Sequence, residues 1–210
     1  MSALLPLSEL LPKTKDGLIF SAPLVPPVLD GSKDLTRRMS KKWLRLKVGD
    51  LIFVRENWRL ASYDMAINWD CRLIYEADGA SLIHKVPGEH VVWLDREADR
   101  RADYRRKHGG DTAPLRPSIF LPKWAARCVL RITEPPRLER VQDITEEDAK
   151  REGVTPFPYD PGGDQWTDGK YRTAFEYTWG KLHGFVGEKK PGEAWSDNPL
   201  VVRLAFERAG

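Results

Sequence analysis

The densest polar cluster in this chain is Gly31-Ser32-Lys33-Asp34-Leu35-Thr36-Arg37-Arg38. Lys33 and Thr36 stand three residues apart, so on a helical turn or a tight loop both side chains reach one cleft. An ammonium beside a hydroxyl lowers the cost of forming an alkoxide, the condition under which a threonine acts as nucleophile. The same pair also fits a purely structural use, as a helix-end cap and a surface charge. Arg37, Arg38 and Arg55 carry planar donors suited to bidentate phosphate contacts. Trp58 and Trp124 offer ring faces on which a base can stack, although tryptophan more often belongs to the core. Arg116 beside Pro117 and Lys123 beside Trp124 flank an apolar turn and add two candidate phosphate contacts, or two loop charges. His84, His90, His108 and His183 have no partners at ligand spacing, and neither Cys71 nor Cys128 has a Cys or His nearby at metal spacing. No metal and no cofactor is expected, and both thiols are expected to be buried and free.

Charge is distributed unevenly. The 210 residues carry 34 basic and 31 acidic side chains, a net charge of only +3. Between Lys33 and Arg59, however, nine basic residues face three acidic ones, a local excess of +6. Such a stretch attracts phosphates by counterion release, or forms a solvated face. A content of 41% hydrophobic and 10% aromatic residues excludes wholesale disorder. No apolar run approaches the length of a membrane helix, and the first residues lack the basic start of a secretory signal; a cytoplasmic chain is the expectation.

The elements that must position these residues are short. Residues 1–17 read as a tail. Leu18-Ile19-Phe20 reads as a strand ending at Ser21, followed by a brief helix that Gly31 stops. Leu51 to Arg55, Arg72 to Tyr75 and His90 to Leu94 read as strands, and the charged run from Asp95 to His108 as an exposed helix at most. Arg127 to Thr133 alternates as a half-buried strand, Pro135-Pro136 breaks it, and Arg137 to Val141 resumes. Thr145 caps a helix with Glu146, Glu147 and Asp148 in its first turn, closed by Gly153. A second helix spans Tyr171 to Leu182, and Leu200 to Phe206 forms a closing strand. With no strand-helix-strand regularity and no Gly-rich phosphate loop, a doubly wound sheet is excluded. The expected class is α+β, a small mixed β-barrel decorated by short helices, in one domain over residues 18–208 with insertions near 95–115 and 155–170.

The polar cluster and the strand after it resemble the ASCH domain of the PUA-like superfamily, whose pattern is Gly-x-Lys-x-x-Thr-x-Arg followed by Gly-Asp-x-Leu/Ile-x-Val. Gly31, Lys33, Thr36 and Arg38 match the first part, and Gly49, Asp50, Ile52 and Val54 the second. The chain is most similar to phage-encoded members often labelled morphogenetic, through Val54 to Trp58, Arg116 to Ile119, Pro122 to Ala125, Gln142 to Val154 and Trp195 to Pro199. The resemblance implies a PUA-like barrel whose cleft binds RNA or a modified nucleotide, in the host cytoplasm for a phage-encoded chain. It also implies two alternatives. One is a hydrolase, either an N4-acetylcytidine amidohydrolase or a ribonuclease; the other is a phage assembly or host-interaction protein with a protein partner. In the amidohydrolases the motif lysine and threonine work with a downstream glutamate. Laid on this chain, that position falls on Lys150, which leaves Glu152 or Glu56 as the acid or base, and Asp34 as a salt-bridge partner able to mute Lys33.

Overall fold

The computed structural model describes residues 6–66, 69–110, 113–160, 168–184 and 192–210. In chain order its strands are β1 (Gly17–Ile19), β2 (Leu35–Arg38), β3 (Leu51–Arg55), β4 (Trp58–Asp64), β5 (Asp70–Tyr75), β6 (Ser81–Lys85), β7 (Val129–Ile132), β8 (Arg137–Arg140) and β9 (Leu200–Arg208). The α-helices are α1 (Leu7–Leu10), α2 (Val25–Asp30), α3 (Val91–His108), α4 (Glu146–Arg151) and α5 (Tyr171–His183). Strands of both parallel and antiparallel pairing with several short helices make the fold α+β, as composition and pattern predict. The chain forms two compact units, one of Met1–Pro26, Ile52–Val129 and Gly210, the other of Pro27–Leu51 and Leu130–Ala209.

In the first unit β1 runs parallel to β3, and β4, β5 and β6 form an antiparallel sheet. Its core gathers Trp58, Leu60, Leu73, Tyr75, Leu94 and Leu121. Two expectations are corrected here. Residues 7–13 are not a tail: α1 and a following 3-10 turn bury Leu10 and Leu11, and Gly17 already pairs with Phe53. Val91 to Leu94 are not a strand but the first turn of α3, because Leu94 and Ala98, four residues apart, form one buried helical stripe.

In the second unit β9 is the central strand. One edge pairs with β2; the other pairs with β8 along its first half and with β7 along its second. Pro135 and Pro136 lie between β7 and β8, where the ladder changes strand, and the sheet curls like part of a barrel. β9 is buried almost along its whole length, so its apparent alternation understates its position. A core of Val141, Ile144, Ala149, Phe175, Trp179 and Val201 packs the capped helix α4 and the longer α5 against it. Trp195 to Pro199 lock the end of β9 as a turn. Asn198 is left-handed at φ 46°, its Oδ1 accepts from the Gln142 N–H at 3.1 Å, and Gln142 Nε2 donates to the Trp195 carbonyl at 2.8 Å. Of the expected insertions, α3 occupies most of 95–115, with residues 111–112 outside the described residues, and 161–167 of the second also lie outside them. Cys71 and Cys128 are buried and free.

Candidate active site

Lys33 lies just before β2, held by its N–H to the Pro27 carbonyl at 2.8 Å. The residue is only 1% exposed. The ammonium donates to the Leu35 carbonyl at 2.8 Å, to the Glu152 carbonyl at 2.5 Å and to Glu152 Oε2 at 2.7 Å. The Leu35 carbonyl belongs to the peptide bond that begins Thr36, so the charge is docked directly on the backbone of the candidate nucleophile. Thr36 itself sits in β2 opposite Leu204 and is 4% exposed. It stands on a strand rather than on the helical turn or tight loop first considered.

Glu152 comes to Lys33 from α4. Thr145 accepts the Asp148 N–H at 3.1 Å and sets the first turn, and Glu152 caps the last turn. Gly153 makes the approach possible. It is left-handed at φ +73°, and a Cβ there would lie 2.9 Å from Lys33 Cβ and 3.2 Å from Pro27 Cβ, so only glycine serves both the turn and the packing. Glu152 is buried, and its second oxygen accepts from Arg37 Nη1 at 3.2 Å. One carboxylate therefore bridges the two cations of the polar motif.

Electrostatically, burial pushes the Lys33 amine below its ordinary range, Glu152 opposes that, and the neighbouring Arg38 and Arg37 push the same way as burial. An amine so placed releases its proton more readily than one in water, with Glu152 as the nearest acceptor. Arg38 ends β2; burial draws its guanidinium down to about 10 against the pull of Glu152.

Arg37 does not serve the phosphate contact expected of it. Its side chain is 1% exposed and its donors are occupied by Glu139 at 2.7 Å and Asp148 at 2.8 Å as well as by Glu152. Asp34 does not mute Lys33 either; it accepts from Arg151 at 2.8 Å. The network extends through Asp148 to Arg203 at 3.1 Å and from Arg203 to Glu134 at 2.6 Å. Burial raises the Asp148 carboxyl, yet hydrogen bonds from Arg203 and Arg37 hold it below its ordinary value overall. Sequence reasoning missed Asp148, Glu139 and Arg203 as members of this cluster. A readable signal existed for Arg203, a charge in the middle of the apolar run from Leu200 to Phe206.

The remaining candidates lie in the other compact unit. Glu56, 1% exposed, receives both Nε and Nη2 of Arg127 at 2.7 Å, and Arg127 also reaches Asp78 at 2.8 Å. Arg55 donates to the Ile119 carbonyl at 3.3 Å. Trp58 is wholly buried in the core, its ring 5.5 Å from that of Trp93, which leaves no face for a base. Arg116 pairs with Glu97 at 3.0 Å and lies over Phe120. Lys123 donates to the carbonyls of Pro12 and Thr14, and Trp124 is half-buried against Trp93. Among the described residues no His, Cys, Asp and Glu cluster could hold a metal ion, and no helix is long and apolar enough to cross a membrane.

No family model, no curated protein and no solved structure matches this chain. Its chemistry therefore rests on the geometry just described.

Proposed function

We propose that Lys33, Thr36 and Glu152 hydrolyse an amide on a modified nucleoside, the activity implied by the resemblance of Gly31 to Arg38 to the ASCH amidohydrolases. The observation that carries this reading is the buried contact of Lys33 Nζ with Glu152 Oε2 at 2.7 Å. In this reading Glu152, at the end of α4 and two residues beyond the aligned Lys150, takes the part of the motif's downstream glutamate. In the proposed reaction the Thr36 hydroxyl oxygen attacks the amide carbonyl carbon and its proton passes to the neutral Lys33 amine. Lys33 then protonates the departing amine nitrogen, Glu152 holding it in place. Water cleaves the resulting threonyl ester, so that N4-acetylcytidine and water yield cytidine and acetate.

The test is release of cytidine from N4-acetylcytidine, followed by chromatography. Thr36→Val, which keeps the shape of the side chain, and Lys33→Met should each lower the rate by about 100-fold or more. The wild-type rate should rise with pH until Lys33 is neutral, at a pH below its ordinary 10.5, since burial lowers the amine's pKa. Equal rates in wild type and variants would remove these residues from the mechanism.

A binding reading is favoured by a different observation. With Lys33 and Arg37 turned inward, Lys41, Lys42, Arg45 and Lys47 remain exposed on the turn after β2. This row is suited to the phosphates of an RNA strand. If wild type releases no cytidine but retards RNA in a salt-dependent way that Lys41→Glu with Lys47→Glu abolishes, RNA binding is the function.

A further inference from the structure

The first compact unit holds a cavity of about 360 Å³ that the amide chemistry does not use. Its apolar wall is made by Leu11, Pro12, Pro87 and Trp124. Its polar lining includes Lys123, Glu89 and His90. The volume lies in the range of small-ligand sites.

Three features show what such a ligand must carry. Lys123 donates two of its three N–H groups to the carbonyls of Pro12 at 3.2 Å and Thr14 at 3.0 Å. Carbonyls carry no formal charge, so the ammonium keeps both its positive charge and one donor for an anion. Trp124 lines the cavity while its indole nitrogen is buried, so it offers a ligand an apolar ring rather than a donor. Glu89, in contrast, lines the cavity as an exposed carboxylate and calls for a cationic or N–H group. The cavity's frame is itself fixed: Thr14 is buried and its hydroxyl donates to the Leu11 carbonyl at 2.8 Å, tying the N-terminal wall in place. His90 adds a second ring next to Trp124, the centroids 6.0 Å apart.

From this lining we infer that the cavity binds a small aromatic zwitterion, of which a free aromatic amino acid is the simplest. The ring packs on Trp124 and the prolines, the carboxylate meets Lys123, and the ammonium meets Glu89. This site is separate in its residues from the Lys33 cluster, and its occupancy does not depend on the amide-hydrolysis reading.

The experiment is calorimetric titration of the full chain with L-phenylalanine, with phenylacetate, which lacks the amine, and with phenethylamine, which lacks the carboxylate. L-phenylalanine should bind at one site per chain, and each partial probe about tenfold more weakly, the loss of one charge-assisted contact. Glu89→Gln, at an exposed position, should weaken L-phenylalanine by about tenfold while leaving phenylacetate unchanged. Lys123→Met should do the reverse for phenethylamine, with thermal melting used to confirm that the N-terminal wall stays folded. If no probe binds saturably at millimolar concentration, or phenylacetate binds as tightly as L-phenylalanine, or Glu89→Gln changes nothing, the inference is overturned.

Discussion

Each compact unit buries a glutamate against a cation, and the two pairs are chemically unlike. Glu56 is held by Arg127 through two parallel hydrogen bonds at 2.7 Å, with Arg127 stacked 4.5 Å over the Tyr75 ring. Glu152 is held by Lys33 on one oxygen and by Arg37 on the other. A guanidinium does not surrender its proton under ordinary conditions and its fork matches both carboxylate oxygens, so the first pair is closed. Burial lowers the pKa of the Lys33 amine and Glu152 opposes it, so the proton of the second pair is the more labile one. Of the two glutamates considered for acid or base work, Glu152 is the one bound to a lysine whose pKa burial lowers. Glu56, on the link between β3 and β4, is tied to Arg127, which also binds Asp78.

The comparison can be broken by mutation, and the largest effect is expected at the reactive pair. Glu152→Ala leaves Lys33 and Arg37 buried with one anion fewer, and should lower stability by about 3–5 kcal/mol in urea unfolding. Adding Lys33→Met to it should recover a large part of that loss, because the uncompensated charge leaves with it. A double variant no more stable than Glu152→Ala would show that the ammonium carries no such penalty. At the closed pair, Arg127→Met should cost less, about 2–3 kcal/mol, since the Glu56 carboxyl left behind, already pushed up by burial, can take up a proton, and Asp78 is partly exposed to water. Unlike Lys33→Met, it should leave the pH dependence of amide turnover unchanged. A shift of that profile on mutating Arg127 would transfer the acid-base role to Glu56. The smallest effect is expected at Thr145→Ala, about 1 kcal/mol, through loss of the cap that orients α4. If this variant keeps full turnover while Glu152→Gln does not, the helix is positioned by its packing against α5 rather than by its cap.

Legibility differed between the two units for physical reasons. The capped helix α4, the strand β3 and the closing strand β9 rest on local rules, capping chemistry, β-branched residues and short periodicities, and all three are found where those rules put them. β2, β4 and β6 were not anticipated. β2 is built from Leu35-Thr36-Arg37-Arg38, which has no apolar period because its charges are paired inside the unit rather than solvated. The basic stretch divides for the same reason: Lys33 and Arg37 are buried, while Lys41, Lys42, Arg45 and Lys47 stay exposed. Charge counts do not reveal which cations are neutralised by carboxylates from distant segments.

By itself, the sequence determined the α+β class, the free buried thiols, and the local machinery around the motif: Gly31 and Gly153 as stops, Thr145 as cap, and Lys33 three residues from Thr36. These depend on residues within a turn or two of one another. Only the tertiary structure decided that Glu152, 119 positions away, is the partner of Lys33, that Asp34 belongs to Arg151, and that Arg37 is spent on three carboxylates. A buried ion pair is selected by which charges the packed sheet and helix desolvate together. That choice is made by the fold as a whole, because burial makes an unpaired charge costly wherever its partner lies in the chain.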